Sequence, residues 1–351
     1  MPSTAHGWAV PSVKANLEPF VFERRDVGPV DVAITIAFCG VCHSDIHQAR
    51  NEWGGSTFPM VPGHEIVGHV SHVGSAVTKY KAGDRVGVGC MVDSCMKCRQ
   101  CTRGLEQYCA NGASFTYNST EQDRKTPTYG GYSDYIVVCE HFVVRIPGNL
   151  DLCAAAPLLC AGVTTYSPLR YWNVKEGTRV GVVGMGGLGH MAVKLAIAMG
   201  AKVTVFTRSP EKMEGAKALG AHHVVNTTNE QEMKSFHCSL DLIVDTVGDS
   251  HDLCPYMEML DVDGKIALVG MPEHEHPPLN PRRMIAYRQC VGGSNIAGIP
   301  ETQELLDFCG AHNIVATVET ISIDCINKAY ERMLKSDVKY RFVIDMSTLT
   351  K

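Results

Sequence analysis

The stretch Thr178 to Arg208, TRVGVVGMGGLGHMAVKLAIAMGAKVTVFTR, decides the fold. Val180 to Val183 is a short apolar, β-branched run between turn residues, the pattern of a buried strand. Gly184, Gly186 and Gly189 follow with the spacing G-x-G-x-x-G. Beyond them Leu188, Met191, Ala192, Leu195, Ala196 and Met199 recur at helical intervals. Gly200 stops that helix, and Ala201 to Thr207 reads as a second strand. Glycine-rich turns are common, so the motif alone is weak. Its place between a strand and a helix leading to another strand is the context that a dinucleotide-binding turn requires. There the glycines allow a sharp turn and a close backbone approach to a pyrophosphate, and the helix N-terminus supplies partial positive charge. Gly187 and Leu188 complete the predicted contact.

The tip of the second strand selects the dinucleotide. An NAD site places Asp or Glu there for the ribose 2′-hydroxyl. This chain has Thr207, Arg208 and Ser209, then Lys212, and no acid. Such residues bind a 2′-phosphate that a carboxylate would repel, so NADP(H) is expected.

The 351 residues are enough for two domains, 45% are apolar and 20% charged, and the formal charge of −5 argues against a nucleic-acid partner. No run of 18 apolar residues and no secretory leader is evident, so a soluble cytoplasmic enzyme without membrane attachment is expected. Fifteen cysteines in such a chain suggest metal ligands and buried thiols rather than a disulfide frame.

Residues 1–160 read as short strands with Gly- and Pro-rich turns: Val32 to Phe38, Ile66 to Val73, Arg85 to Val88, Ser133 to Val138 and Phe142 to Ile146. From 161 the pattern alternates strand and helix, the signature of a parallel sheet covered on both faces. After the opening stretch come a helix at Glu211 to Leu219 and strands at Asp241 to Asp245, Lys265 to Gly270 and Cys290 to Ser294. The tail reads helix (Glu301 to His312), strand, helix (Ile323 to Leu334), strand (Tyr340 to Ile344), and pattern alone does not place it.

Two groups carry metal chemistry. The first is GVCHSDIH, Gly40 to His47, with PGHEIVGHV, Pro62 to Val70. A catalytic zinc takes three protein ligands and leaves one position open. Cys42 and His64 are candidates, and Cys160, just before the dinucleotide stretch, is a possible third. Each cysteine taken singly is more often a small core residue. The second group is C-x2-C-x2-C-x7-C: Cys95, Cys98, Cys101 and Cys109. Four thiolates close a tetrahedral zinc site with no open position, which makes it structural. An iron–sulfur run would end in C-x3-C-P, and here the last gap is seven and Ala110 follows.

These motifs, with VGMGGLG, GGYSDYIVV, APLLCAGVTTYSPL, GIPETQELLDFC and KYRFVID, resemble the zinc-dependent medium-chain alcohol dehydrogenases across essentially the whole chain. Within them the chain resembles the cinnamyl alcohol dehydrogenase group and its microbial broad-range aldehyde reductases. The resemblance implies an α/β protein: a GroES-like, mainly β catalytic domain from 1–160 and 298–351, and a Rossmann doubly wound parallel-sheet domain from 161–297. A structural zinc lobe falls at about 90–110. It implies two zinc ions per chain, one catalytic on Cys42, His64 and Cys160 with Glu65 beside it, and one structural. Ser44 takes the position of the proton-passing hydroxyl, His47 the solvent end of that relay, and Asp45 a carboxylate that steadies the zinc ligands. Thr164, Thr246, Gly270, Ser294, Asn295 and Ile296 match dinucleotide-contacting positions. Arg208 departs from the small residue of the plant enzymes. A homodimer is also implied. Trp53, Phe58, Met60, Leu159, Met271 and Ile296 are candidates for an apolar pocket for aromatic or medium aliphatic aldehydes. The expected reaction is hydride transfer between NADP(H) and primary alcohols or aldehydes. The rival readings are an NAD-linked polyol or secondary-alcohol dehydrogenase, and a zinc or redox sensor on the same fold.

Overall fold

The computed structural model describes residues 3–350, which divide into two compact units, 3–163 with 297–350, and Thr164–Ile296. The division falls inside the helix Ala161–Tyr171.

The first unit is built on a seven-stranded sheet. Its long central strand, Asp31–Val41, pairs antiparallel with Ile66–Val73, with Tyr135–Cys139 and with the tail strand Arg341–Asp345. Arg85–Val88 and Val144–Arg145 extend it on one side, Val318–Ser322 on the other. Alternating apolar residues bury one another: Ile34, Val67, Val86 and Phe342 are all fully buried. The register Phe342↔Val41 to Asp345↔Phe38 carries the tail back to the strand that precedes Cys42.

The second unit is an all-parallel six-stranded sheet in the order His223–Asn226, Lys202–Thr207, Arg179–Val183, Leu240–Asp245, Leu260–Leu268, Cys290–Gly293. Val183, Phe206, Leu240, Ile243 and Ile266 form its buried cluster. The helix Gly187–Ala198 follows the first of these strands in sequence, as the glycine motif requires. The doubly wound parallel sheet and the mainly β unit are the α/β class expected from sequence.

Some elements differ from the sequence pattern. The run Phe142 to Ile146 yields only Val144–Arg145 as strand, because Glu140–Phe142 winds into a 3₁₀ turn and Pro147 follows. The strand expected from Ser133 begins at Tyr135, since the Ser133 hydroxyl closes a turn onto the Gly130 carbonyl at 2.8 Å. The strand expected from Lys265 begins at Leu260; the polar run Asp261-Val262-Asp263 hides it, while the Leu240↔Leu260 pairing starts the parallel ladder there. The last helix starts at Ile326 after a 3₁₀ turn at Ile323–Cys325. Sequence reading missed the helix His43–Ala49, whose seven residues are too few to show a period.

Candidate active site and dinucleotide turn

The first ligand group is assembled by one buried carboxylate. Asp45 sits in the first turn of the helix His43–Ala49 and is completely buried. Its Oδ2 accepts the Cys42 backbone N–H at 2.8 Å and the Tyr132 hydroxyl at 3.0 Å. Its Oδ1 accepts the Gly63 backbone N–H at 3.2 Å and lies 3.5 Å from His64 Nδ1. One side chain therefore ties the Cys42 turn to the His64 turn and sets the imidazole so that Nε2 faces away from it. His64 Nε2 is buried and has no hydrogen-bond partner. Tyr117 stacks on the ring at 5.7 Å with an interplanar angle of 7°.

Ligand atoms of Cys42, His64, Glu65 and Cys160 all lie within 4.8 Å of one another, and all four residues are buried. The two sulfurs are 3.8 Å apart, and the hydrogen bond with the Cys160 thiol holds the Cys42 thiol well below its usual range. Burial pushes the Glu65 carboxyl up to about 8 against the pull of Arg341. Both Glu65 oxygens lack a hydrogen-bond donor, although Arg341 Nη2 stands 3.3 Å from Oε1. A Cβ at Gly40 would collide with Glu65 Oε2, so only glycine leaves the carboxylate its place. Two thiols, an imidazole with a bare nitrogen and an under-bonded carboxylate suit zinc by number, softness and separation. The Asp45–His64 arrangement is the outer support that a zinc-bound histidine needs. We predict that Asp45→Asn lowers zinc affinity at this site by ~10- to 100-fold. Zinc content after dialysis against a weak chelator checks it, and full retention would exclude the role.

Ser44 Oγ lies 3.6 Å from Cys42 Sγ. His47 Nδ1 meets Glu52 Oε2 at 2.5 Å, and Trp53 stacks on its ring at 4.7 Å. Met60 and Leu159 are buried, Phe58 is half-buried, and Met271, in the second unit, is 56% exposed. Arg341, Tyr117, Tyr132 and Glu52 were not singled out from the sequence. No local pattern marks them; only the fold brings Arg341 to a carboxylate 276 positions earlier.

Cys95, Cys98, Cys101 and Cys109 form a second cluster with all sulfurs within 4.8 Å. Cys98 and Cys101 sulfurs are 3.5 Å apart, and Cys95 and Cys101 sulfurs 4.0 Å. Backbone N–H groups of Cys95 and Ala110 point at Cys109 Sγ and Cys98 Sγ, at 3.5 and 3.4 Å. Such N–H donors hold the Cys98 thiol down to about 6, so it is ready to ligate as thiolate. The set fits a closed tetrahedral zinc site. Cys98→Ala should leave one zinc per chain and lower the melting midpoint by about 10 °C, if the lost metal costs about 4 kcal/mol. An unchanged calorimetric transition would remove the structural assignment.

In the second unit Gly184 adopts φ +88°, and a Cβ on Gly189 would collide with the Gly184 carbonyl. Nothing stands within 4 Å of a Cβ placed on Gly186, which leaves that backbone open to a ligand. The helix Gly187–Ala198 has Gly186 as its N-cap, with no side chain bonded to its first N–H groups. This cradle fits a dinucleotide pyrophosphate. The Thr246 hydroxyl donates to the Val183 carbonyl at 2.7 Å and so braces the turn. Gly270 has no room for a Cβ beside the Val247 carbonyl. Thr207 is buried at the strand tip, Arg208 is exposed, and Ser209 and Lys212 are half-buried. Burial and the nearby Arg208 charge lower the Lys212 pKa. Among the described residues neither cation forms an ion pair, so the pair is free to take an anion. Thr164 is buried, Ser294 N–H bonds the Leu268 carbonyl at 3.0 Å, and Ile296 has φ +36° beside Asn295.

Residues 28–148 match the family described as "Alcohol dehydrogenase GroES-like domain", and 187–311 the one described as "Zinc-binding dehydrogenase". The chain is 54% identical over 348 residues to NADP-dependent alcohol dehydrogenase C of Mycobacterium bovis, covering 99% of this chain and 100% of that one. It is 56% identical over 340 residues to aldehyde reductase YahK of Escherichia coli, covering 97% of each. Among solved structures, a cinnamyl alcohol dehydrogenase of Sorghum bicolor superposes with a TM-score of 0.95 at 44% identity, over 99% of this chain and 100% of that one. A cinnamyl alcohol dehydrogenase of Helicobacter pylori, complexed with NADP(H), gives 0.94 at 43% identity over 100% of both chains.

Proposed function

The chain belongs to the zinc-dependent alcohol dehydrogenases, and from that premise we propose that it interconverts aldehydes and primary alcohols with NADP(H), mainly as a broad-range aldehyde reductase. The observation that carries the reading is the meeting of Cys42, His64, Glu65 and Cys160 in one buried cluster with His64 Nε2 unpartnered. The strand tip with Arg208 and Lys212 in place of an acid supports the phosphorylated dinucleotide.

When bound, zinc supplies Lewis acidity to the substrate oxygen, and the dinucleotide supplies or takes the hydride. The side chains do the remainder. Cys42, His64 and Cys160 would hold the catalytic ion, and the two thiolates would offset part of its charge. Glu65, between Arg341 and the cluster, would offer the ion a further ligand oxygen. Asp45 fixes the imidazole of His64. The Ser44 hydroxyl, beside Cys42, would give the substrate oxygen its proton in the reducing direction. His47 exchanges that proton with solvent: Glu52 occupies Nδ1 and leaves Nε2 for water. The Gly184–Gly189 turn, Thr246 and the Arg208–Lys212 pair bind the dinucleotide. Trp53, Phe58, Met60 and Leu159 give the substrate side its apolar character, which favours aromatic and medium aliphatic aldehydes over sugars. A cytoplasmic homodimer belongs to the proposal on family resemblance alone; sedimentation and cell fractionation test it.

Initial rates over a panel of aromatic, aliphatic and polyol substrates, each with NADPH and NADH, test the reading. We expect the highest kcat/KM for NADPH with apolar aldehydes. A preference for NADH with polyols would replace this reading by the polyol dehydrogenase one.

A further inference from the structure

The second unit holds a cluster that neither zinc site uses. Asp245 ends the strand Leu240–Asp245, and His251 lies in the loop that follows. His276 lies in the loop after the neighbouring strand Leu260–Leu268. One ligand atom from each of the three lies within 4.8 Å of the others.

The bonding of these groups is incomplete in a particular way. Asp245 is 2% exposed; its Oδ1 accepts the Val247 N–H at 3.1 Å, but its Oδ2 has no hydrogen-bond partner. A carboxylate oxygen left bare in the interior is costly, and such groups are normally bonded, ion-paired or metal-bound. His251 Nδ1 sits 2.9 Å from the Asp249 carbonyl, which can only accept, so Nδ1 carries the proton. In the neutral ring Nε2 is then a bare lone pair. It stands 3.1 Å from Asp245 Oδ2, yet no well-directed hydrogen bond joins them, and Nε2 too is buried without a partner. Asp245 raises the pKa of His251, so the positive charge that these two atoms need is either a proton on Nε2 or a cation held by both.

A proton on Nε2 would lie near the line to the oxygen, within the bend that a hydrogen bond tolerates. A cation has a different requirement. At about 2.0–2.1 Å from both atoms, two ligands 3.1 Å apart subtend an angle of about 100°, and each lone pair points about 40° off the nitrogen–oxygen line. The 3.1 Å separation of two buried atoms without hydrogen-bond partners is one that two ligands of a single metal can take. His276 supplies the remaining donor. Its Nδ1 lies 3.2 Å from the His251 backbone nitrogen and 3.0 Å from the His251 carbonyl; the tautomer that donates to the carbonyl leaves Nε2 bare, as in zinc sites where a ligating histidine anchors its other nitrogen on a carbonyl. The Ser250 hydroxyl bonds the Glu275 carbonyl at 2.7 Å and holds the two loops together around the cluster.

We propose that Asp245, His251 and His276 form a third metal site, which binds a divalent transition ion such as zinc or nickel. Two imidazoles and one carboxylate suit these ions and disfavour calcium or magnesium. The site is separate from the reaction and does not depend on the substrate assignment. Occupancy cross-links the loop after Asp245 to the loop carrying His276. It thereby stiffens the segment that begins with Thr246, the brace of the glycine turn.

The test uses the full-length chain with both zinc ions in place, verified by metal content, and titrates it with Ni²⁺ in a calorimeter. We expect one further equivalent per chain. His276→Ala and His251→Gln should each weaken it by at least ~10-fold while zinc content stays at two. His276→Ala, a change at a half-buried loop position, decides the matter if His251→Gln fails to fold. No equivalent beyond the two zincs would overturn the proposal and leave His251 as a protonated partner of Asp245. So would a further equivalent that His276→Ala leaves at full affinity, since that ion would then sit on other surface histidines.

Discussion

Cys42→Ala will lower kcat for aldehyde reduction by ~10³-fold or more and leave one zinc per chain. The magnitude follows from the ion's task. Polarising a carbonyl oxygen stabilises the charge that develops there by several kcal/mol, and each 1.36 kcal/mol is about tenfold in rate. Removing one of two thiolates leaves His64 and Cys160 with a poorer hold on the ion, and it removes the anchor from which the Ser44 hydroxyl is positioned at 3.6 Å. The fold should survive. Cys42 precedes a short helix whose Asp45 stays bonded to the Gly63 backbone and to Tyr132. The decisive comparison is with Cys98→Ala, which also loses one zinc but loses it from the other cluster. Metal analysis alone does not separate the two variants; turnover and melting temperature together do. Cys42→Ala should melt near the wild type and be inactive. An active Cys42→Ala enzyme would break the ligand assignment.

The second large effect is at the strand tip. Arg208→Asp should shift the ratio of kcat/KM for NADPH over NADH by about 10²-fold toward NADH. A charge-assisted hydrogen bond to the 2′-phosphate contributes about 1.5–3 kcal/mol, and the new carboxylate adds repulsion of the phosphate. The same carboxylate can accept the ribose 2′-hydroxyl of NADH, so the NADH value should rise as well as the NADPH value fall. Arg208 is exposed and unpaired among the described residues, so the substitution disturbs no ion pair and should leave stability within about 0.5 kcal/mol. Lys212, half-buried with its pKa lowered by burial and by Arg208, remains to bind some phosphate, which is why the shift is not larger. An unchanged ratio would take Arg208 out of the phosphate pocket.

What could be read without coordinates were the features whose parts are close in sequence. The glycine turn is one: strand, G-x-G-x-x-G and helix occupy consecutive residues, and steric demands at Gly184 and Gly189 are local. The four-cysteine lobe is another, since a loop of 15 residues from Cys95 to Cys109 can hardly place its thiols elsewhere than around one point. The empty acid position at the strand tip is a third.

Other features depended on long-range packing. Cys160 had only its place in a familiar motif to recommend it; the sheet and the buried helical turns before it bring its sulfur 3.8 Å from Cys42. Arg341 carries no local signal. It reaches Glu65 because the tail strand pairs with Asp31–Val41, and pairing partners far apart in sequence are chosen by burial and register rather than by motif. Family resemblance alone marked Asp45 as a carboxylate that steadies the zinc ligands, and only the fold shows its two oxygens tying together the turns of Cys42 and His64. The cluster of Asp245, His251 and His276 is of the same kind, spread over 32 residues and joined by the ends of two neighbouring strands. The sequence by itself thus determined the chemistry available, because ligand types, turn glycines and charges are properties of residues and short spacings. The tertiary structure decided which of those groups meet, because a site is a matter of distances, and distances between remote residues are set by how the sheets pair and bury their apolar faces.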